Sequence, residues 1–297
     1  MAAEQLEAWD IVSGVGLTAL IVAAGRAIDS NRADALIDDP LAAHFLEAAD
    51  APVPMPTDLG TAERDGAESL AIWTHMSNHL GVRTRFFDDC FLRARAEGAE
   101  QAVVVASGLD TRAFRLDLPA GFGFFEIDQP KVLAFKEEVL RGNGAAPRCD
   151  WRAVATDLRT SWSGELVRSG FDPAKPTVWV VEGLLMYLTE DAEKQLLDVI
   201  RELSAPGSRL VCEHLRDIPS LARDPEFARV PAYFHVELPE LLLGESERPR
   251  PEDRIAAWGW EVSTRTSAEM AGRYRRKFDP ISQALCSRTH FITARSS

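Results

Sequence analysis

Hydrophobic positions change rhythm near residue 100. Before it they recur at helical spacing: Leu17, Leu20, Ile21, Ala24 and Ile28 share one face, predicting a helix over Thr18 to Ile28. The turn-prone Asp29-Ser30-Asn31 closes it. Asp38-Asp39-Pro40-Leu41 then places acids and a proline where a helix starts, since carboxylates favour the macrodipole there and proline has no donor to lose. A second helix is expected to about Ala49. Pro52, Pro54 and Pro56 make Ala51 to Gly60 a loop. Trp73, Met76, Leu80, Phe87, Phe91 and Leu92 mark a long helix over Glu68 to Glu97, with an interruption expected near Gly81.

After residue 100, short apolar runs alternate with helical patterns. The runs predict strands at Ala102 to Ala106, Gly123 to Ile127, Trp151 to Ala155, Thr177 to Val181, Arg209 to Glu213, Trp260 to Thr264 and Thr289 to Ala294. Helices fit between them at Lys131 to Arg141, Trp162 to Ser169, Glu190 to Leu203 and Glu252 to Trp258. Such alternation predicts an α/β fold: a mostly parallel, seven-stranded sheet with helices on both faces. The proline-rich stretch Asp217 to Arg250 breaks the rhythm after the fifth strand and reads as an inserted cap. One domain is expected over 1–297, with a helical extension at 1–98 and a core at 99–297 whose cap covers about 216–250.

Composition narrows the function classes. With 297 residues, 46% of them hydrophobic, the chain can bury a sizeable core. A net charge of -13 disfavours nucleic acid and anionic membranes as partners, because phosphate contacts need a basic face. Cys90, Cys149, Cys212 and Cys286 lack metal or disulfide spacing, so no metal is expected. Met1 to Asp10 is acidic, and Val15 to Ala24 is too short to span a bilayer, which reads as a soluble, cytoplasmic protein.

The candidate chemistry sits where the first four strands end. These ends read Ser107-Gly108-Leu109-Asp110, Glu126-Ile127-Asp128, Thr156-Asp157-Leu158 and Glu182-Gly183. An acid follows each strand, and open α/β sheets bind ligands at that edge. Asp128 is placed to take a ribose diol, and the glycine turn lets backbone approach a ligand. The turn lacks Gly-x-Gly-x-x-Gly and the chain has no P-loop, which disfavours dinucleotides and nucleoside triphosphates. A cationic nucleoside such as S-adenosylmethionine suits an acid-ringed site without a phosphate cradle.

Seven motifs, in order, carry a resemblance: Ala24-Gly25-Arg26-Ala27-Ile28, Asp39-Pro40-Leu41-Ala42, Val82-Arg83-Thr84-Arg85-Phe86-Phe87-Asp88, Gly108-Leu109-Asp110-Thr111-Arg112, Phe125-Glu126-Ile127-Asp128-Gln129-Pro130, Asp157-Leu158-Arg159 and Val181-Glu182-Gly183-Leu184-Leu185-Met186-Tyr187-Leu188. With them the chain resembles the leucine carboxyl methyltransferase family, in its bacterial branch of S-adenosylmethionine-dependent O-methyltransferases. The resemblance implies a seven-stranded Rossmann-like methyltransferase fold. It also implies that Arg83 holds the carboxylate of the cofactor's methionine part, Gly108 passes beneath that part and Asp128 takes the ribose hydroxyls. Asp157 and Leu158 would hold the adenine, and Glu182 the amino group or the transfer centre. Arg26 and Asp110 join the cofactor-binding set, and Tyr187 with Glu182 is placed at the methyl group or acceptor. Where many relatives have Gly-x-Gly, Ala106-Ser107-Gly108 keeps only the second glycine.

Methyl transfer from a sulfonium is a direct displacement that needs alignment and exclusion of water. A small-molecule carboxylate, already ionised at neutral pH, is the expected acceptor; a phenol or hydroxyl of secondary metabolism, or loss of catalysis with retained cofactor binding, are the alternatives. His214 and His235 are candidate bases for a phenol. The cap, with Phe227, Tyr233, Phe234, Trp258 and Trp260 in or near it, is the candidate acceptor pocket and lid. Arg273, Arg275, Arg276 and Lys277 form a basic cluster that either attracts an acidic acceptor or faces solvent. Oligomeric state is not legible.

Overall fold

The computed structural model describes residues 14–235 and 248–297. Four helices lead: α1 (Gly14–Ser30), α2 (Ala42–Ala48), α3 (Leu59–Arg64) and α4 (Ala67–Ala96). The seven apolar runs then form β1 (Gln101–Val105), β2 (Gly123–Asp128), β3 (Asp150–Ala155), β4 (Thr177–Val181), β5 (Arg209–Leu215), β6 (Glu261–Thr266) and β7 (Thr289–Arg295). Between them lie α5 (Arg112–Arg115), α6 (Pro130–Gly142), α7 (Trp162–Arg168), α8 (Glu190–Glu202), α9 (Ile218–Ala222), α10 (Arg229–Phe234), α11 (Pro251–Ala256), α12 (Ser267–Arg273) and α13 (Pro280–Cys286). Part of the expected cap, 236–247, and the acidic Met1 to Asp10 lie outside the described residues.

The strands join in the order β3-β2-β1-β4-β5-β7-β6; β7 pairs antiparallel with both β5 and β6, and the other described pairings are parallel. From β1 the chain winds outward to β3, then returns to β4 on the other side. The reversal between β1 and β4 opens a crevice at their carboxyl ends, which is where such sheets bind ligands. Both faces are covered, which explains the unbroken apolar runs. Ala102 and Val104 of β1 belong to one core with Leu20 of α1 and Phe87 of α4, while Val103 and Val105 belong to a second with Leu166 of α7 and Leu197 of α8. Among the described residues, no helix is long and apolar enough to cross a membrane.

Two departures from expectation have packing causes. First, α4 runs unbroken through Gly81, because the Asp29 carboxylate of α1 lies against that glycine, where a Cβ would collide with it. A glycine within a helix costs about 1 kcal/mol, which the close crossing of α1 offsets here. Asp29 accepts from Leu36 N at 2.9 Å and pairs with Arg276 at 2.8 Å. Arg276 is therefore buried, and the basic cluster expected at Arg273 to Lys277 loses it from the surface. Second, α3 begins inside the segment expected to be a loop, where the Asp58 carboxylate caps Thr61 N at 2.8 Å.

Candidate active site

The chain leaves β1 through two left-handed residues, Ala106 and Gly108, each with φ near 51°. Ser107 N, between them, bonds Ile127 O at 3.1 Å, while its Oγ is buried without a partner among the described residues. Asp128 receives the turn: Oδ2 accepts from Gly108 N at 2.6 Å and Oδ1 from Gln129 N at 2.7 Å. Burial pushes the Asp128 carboxyl up, and those two bonds only partly offset it. The position left without its glycine, Ala106, thus has a conformation that favours glycine. Ala106→Gly is expected to stabilise the protein by about 1 kcal/mol, a rise of a few degrees in Tm. A thermal melt showing an equal or lower Tm would contradict strain at this turn.

Behind the turn, charges alternate in a buried chain. Arg112 sits at its centre: Nε pairs with Asp88 at 2.7 Å, Nη2 with Glu182 at 2.7 Å, and Nη1 with Asp110. Burial opposes ionisation of Asp110, yet Arg112, with Lys136 and the Arg112 N–H, holds its carboxyl at about 2. Asp88 also stays below the usual range: burial is outweighed by Arg115 and Arg112. Glu182 extends the chain to Arg83, whose Nε lies 2.9 Å from its Oε1 and whose Nη1 lies 3.1 Å from Glu213 Oε1. Burial pushes Glu213 up, with Arg83 opposing and Glu182 adding to it. Arg26 anchors the other side, donating to Leu109 O at 2.7 Å and pairing with Asp39 at 3.3 Å. Asp39 precedes α2 as expected, and its buried carboxylate accepts from Thr111 Oγ1 at 2.8 Å.

Deeper still, Lys136 of α6 meets Glu126 of β2 at 2.5 Å, both fully buried. Burial raises the Glu126 carboxyl to about 7 although Lys136 pulls it down.

Arg83 and Glu213 also face a cavity of about 150 Å³. Its walls come from Thr18 and Ile21 of α1, His75 and His79 of α4, Tyr187 after β4, and Phe227 and Phe234 of the cap. Burial pushes the Tyr187 phenol up, against the pull of Arg83. Burial also holds His75 down at about 4 and His79 well below its ordinary value, so both imidazoles are neutral at pH 7.

The structure brings Arg26, Arg83, Gly108, Asp110, Asp128 and Glu182 together around the ends of β1, β2 and β4. Asp157 follows β3 beside them, since Thr156 N bonds Asp128 O at 2.9 Å, but its carboxylate is taken by Arg159 at 2.5 Å on the surface. Leu158 packs on the far-face core. The two histidines offered as bases lie elsewhere. His214 is not in the cavity wall although its neighbours Glu213 and Leu215 are, because side chains alternate along β5. Burial holds it at about 3. His235 is exposed at the end of α10. Trp258 and Trp260 meet edge to face against the far-face core and do not line the cavity. Sequence reasoning missed Arg112, Glu213 and the pair His75 and His79. The pair had a signal: residues 75, 79 and 83 recur at i, i+4 and i+8, which places them on one stripe of α4.

Strand order, the antiparallel seventh strand and a turn with acids at the sheet's carboxyl edge define a Rossmann-like methyltransferase. A crystal structure from Thermobifida fusca, provisionally described as a methyltransferase, superposes with a TM-score of 0.50 at 18% identity, covering 94% of each chain. A DUF574 family protein from Streptomyces avermitilis gives 0.52 at 16%, covering 86% of this chain and 96% of that one. A profile of the leucine carboxyl methyltransferase family matches residues 19–201. Proteins of Saccharopolyspora erythraea and Rhodococcus jostii, both provisionally named S-adenosyl-L-methionine-dependent methyltransferases, are 46% and 42% identical, each covering 97% of this chain and 98% of the relative. The chain belongs to the leucine carboxyl methyltransferase family, and it is a methyltransferase.

Proposed function

We propose that this enzyme moves a methyl group to an oxygen of a small molecule bound in the cavity beneath the cap. S-adenosylmethionine is the methyl donor, and when bound it supplies an electrophilic methyl on a sulfonium. The residues at the β1 and β2 ends suit that group. Among the described residues, a Cβ at Gly108 would meet only Ala19 Cβ, at 3.9 Å, so the turn leaves room against its backbone, and the Ser107 Oγ, unpaired among those residues, offers a bond there. Each Asp128 oxygen has spent one lone pair on backbone, and the other can accept a ribose hydroxyl. Arg83 would hold the cofactor carboxylate, sharing its guanidinium with Glu182 and Glu213. Glu182 would take the amino group, and Asp157 with Leu158 the adenine. Arg26 and Asp110 keep the turn in place through Leu109 O and Arg112.

The observation that carries the reading is that Arg83 belongs to both halves, pairing with Glu182 beside the turn and lining the cavity. Tyr187, also in that wall, stands where an acceptor would meet the methyl. In the transfer, the sulfur–methyl bond breaks as the oxygen–methyl bond forms, and the sulfur keeps the electron pair. Carboxylate and hydroxyl acceptors both satisfy this chemistry; the hydroxyl must also shed a proton.

Titration with S-adenosylhomocysteine tests the donor site. Wild-type protein should bind it and melt at a higher temperature, and Asp128→Asn should weaken binding roughly 100-fold through weaker bonds to the ribose. Calorimetry giving equal affinities for the two proteins would remove Asp128 from the site.

A further inference from the structure

A relay of three residues reaches the cavity wall from α13. Asp279 caps that helix: Oδ1 accepts from Ser282 N at 2.9 Å, and Oδ2 accepts from Ser282 Oγ at 2.5 Å and Asn78 Nδ2 at 3.2 Å. The Asp279 carboxyl is held below its ordinary value: burial opposes this, but Ser282 and the neighbouring groups outweigh it. The single proton of Ser282 Oγ is therefore committed to a carboxylate. His75 Nδ1 lies 3.0 Å from that same oxygen. With the hydroxyl proton spent, Ser282 Oγ can only accept, so Nδ1 must carry the hydrogen. In a neutral imidazole the other nitrogen is then bare. Nε2 of His75 is such an acceptor, buried and without a partner among the described residues.

A buried acceptor left unpaired costs about 1–3 kcal/mol, and because His75 lines the cavity a donor carried by a ligand there can remove that cost. The neighbouring charges restrict that ligand further. Arg83 is the only cation among the described lining residues, and it is paired with two acids, one of which, Glu213, lines the same cavity. An acceptor carboxylate would face Glu213 and a bare nitrogen lone pair, both electron-rich. The remaining wall is largely apolar, and a cavity of this volume takes about one benzene ring.

We infer that His75, fixed in one tautomer by Asp279 and Ser282, is the specificity-determining residue that accepts a hydrogen bond from a neutral hydroxyl on a ring-sized acceptor. This rests on methyl transfer occurring in the cavity, and it assigns the acceptor to phenols and alcohols rather than carboxylates.

The test uses the enzyme saturated with S-adenosylhomocysteine and three matched probes: 4-ethylphenol, 4-ethylanisole and 4-ethylbenzoate. The phenol should bind at least ~10-fold more tightly than the ether or the benzoate, because only it satisfies Nε2. His75→Phe should erase the gap between phenol and ether while leaving the affinity for S-adenosylhomocysteine unchanged. Should that variant fold poorly, the ¹⁵N shift of His75 Nε2 in wild-type protein decides the tautomer, and Ser282→Ala should narrow the gap. The inference is overturned by tighter binding of the benzoate, by no phenol binding at millimolar concentration, by an unchanged gap in His75→Phe, or by a protonated Nε2. Failure of wild-type protein to bind S-adenosylhomocysteine would instead overturn the underlying reading of the donor site.

Discussion

Arg112→Met is expected to destabilise the protein by about 3–5 kcal/mol at pH 7, a fall in Tm of roughly 10 °C. The methionine matches the arginine's bulk, so the loss is electrostatic. Asp88, Asp110 and Glu182 would lose the guanidinium that meets all three, in a place where Asp88 and Asp110 are almost wholly out of water. The pH dependence identifies the cause. Asp88 and Asp110 have depressed folded values, Asp110 near 2, so their contribution is present above the ordinary carboxylate value near 3.8 and is lost as pH falls through the folded value. The variant should therefore trail the wild type most at neutral pH and approach it below pH 4, as the abandoned acids take up protons. Arg112→Lys should recover only part of the loss, since an ammonium cannot present a fork to three acids. Denaturant melts at pH 7 and pH 4 measure both effects, and a penalty independent of pH would mean that packing, not charge, is what Arg112 supplies.

Lys136→Met should show a penalty that also grows with pH, but over a higher pH window. Glu126 has a raised folded value, about 7 against an ordinary 4.5, so its contribution to stability is fully present below 4.5 and declines as pH rises through 7. Lys136 is what permits the carboxylate to ionise at all in that interior. Without it the carboxyl rises further, and the decline extends to higher pH. The expected cost is about 3–5 kcal/mol at pH 8 and close to zero at pH 5, where Glu126 holds its proton in either protein. Lys136 also favours the ionised forms of Asp110 and Asp128, so affinity for S-adenosylhomocysteine should fall with stability. The double variant Glu126→Gln, Lys136→Met should regain most of the stability at pH 8. Equal melting curves for the single and double variants would show that the pair is not the source of the effect.

The parts of the fold legible in the sequence were those set by local rhythm. Ala102 to Ala106 announced β1 to within one residue, because a strand covered on both faces must be apolar at every position. Asp128 and Glu182 could be placed at strand ends by counting along the runs. Gly81 misled because a glycine inside a helical pattern reads as a break; its cause, the Asp29 carboxylate, lies 52 positions earlier on another helix. Asp39 does stand before α2, as its setting suggests, but its side chain has a long-range role. Thr111 and Arg26, distant in sequence, claim that side chain.

The sequence by itself determined the α/β alternation, the acids at the sheet's carboxyl edge and the family, since periodicity, turn chemistry and motif order act over a few residues at a time. The tertiary structure alone decided which charges pair and which nitrogen is left bare. Arg83 meets Glu213 across 130 positions, and His75 meets Ser282 across 207. Such partners are chosen by how the sheet winds and where α4 crosses it. The energies that fix their protonation come from burial, which no local stretch of sequence specifies.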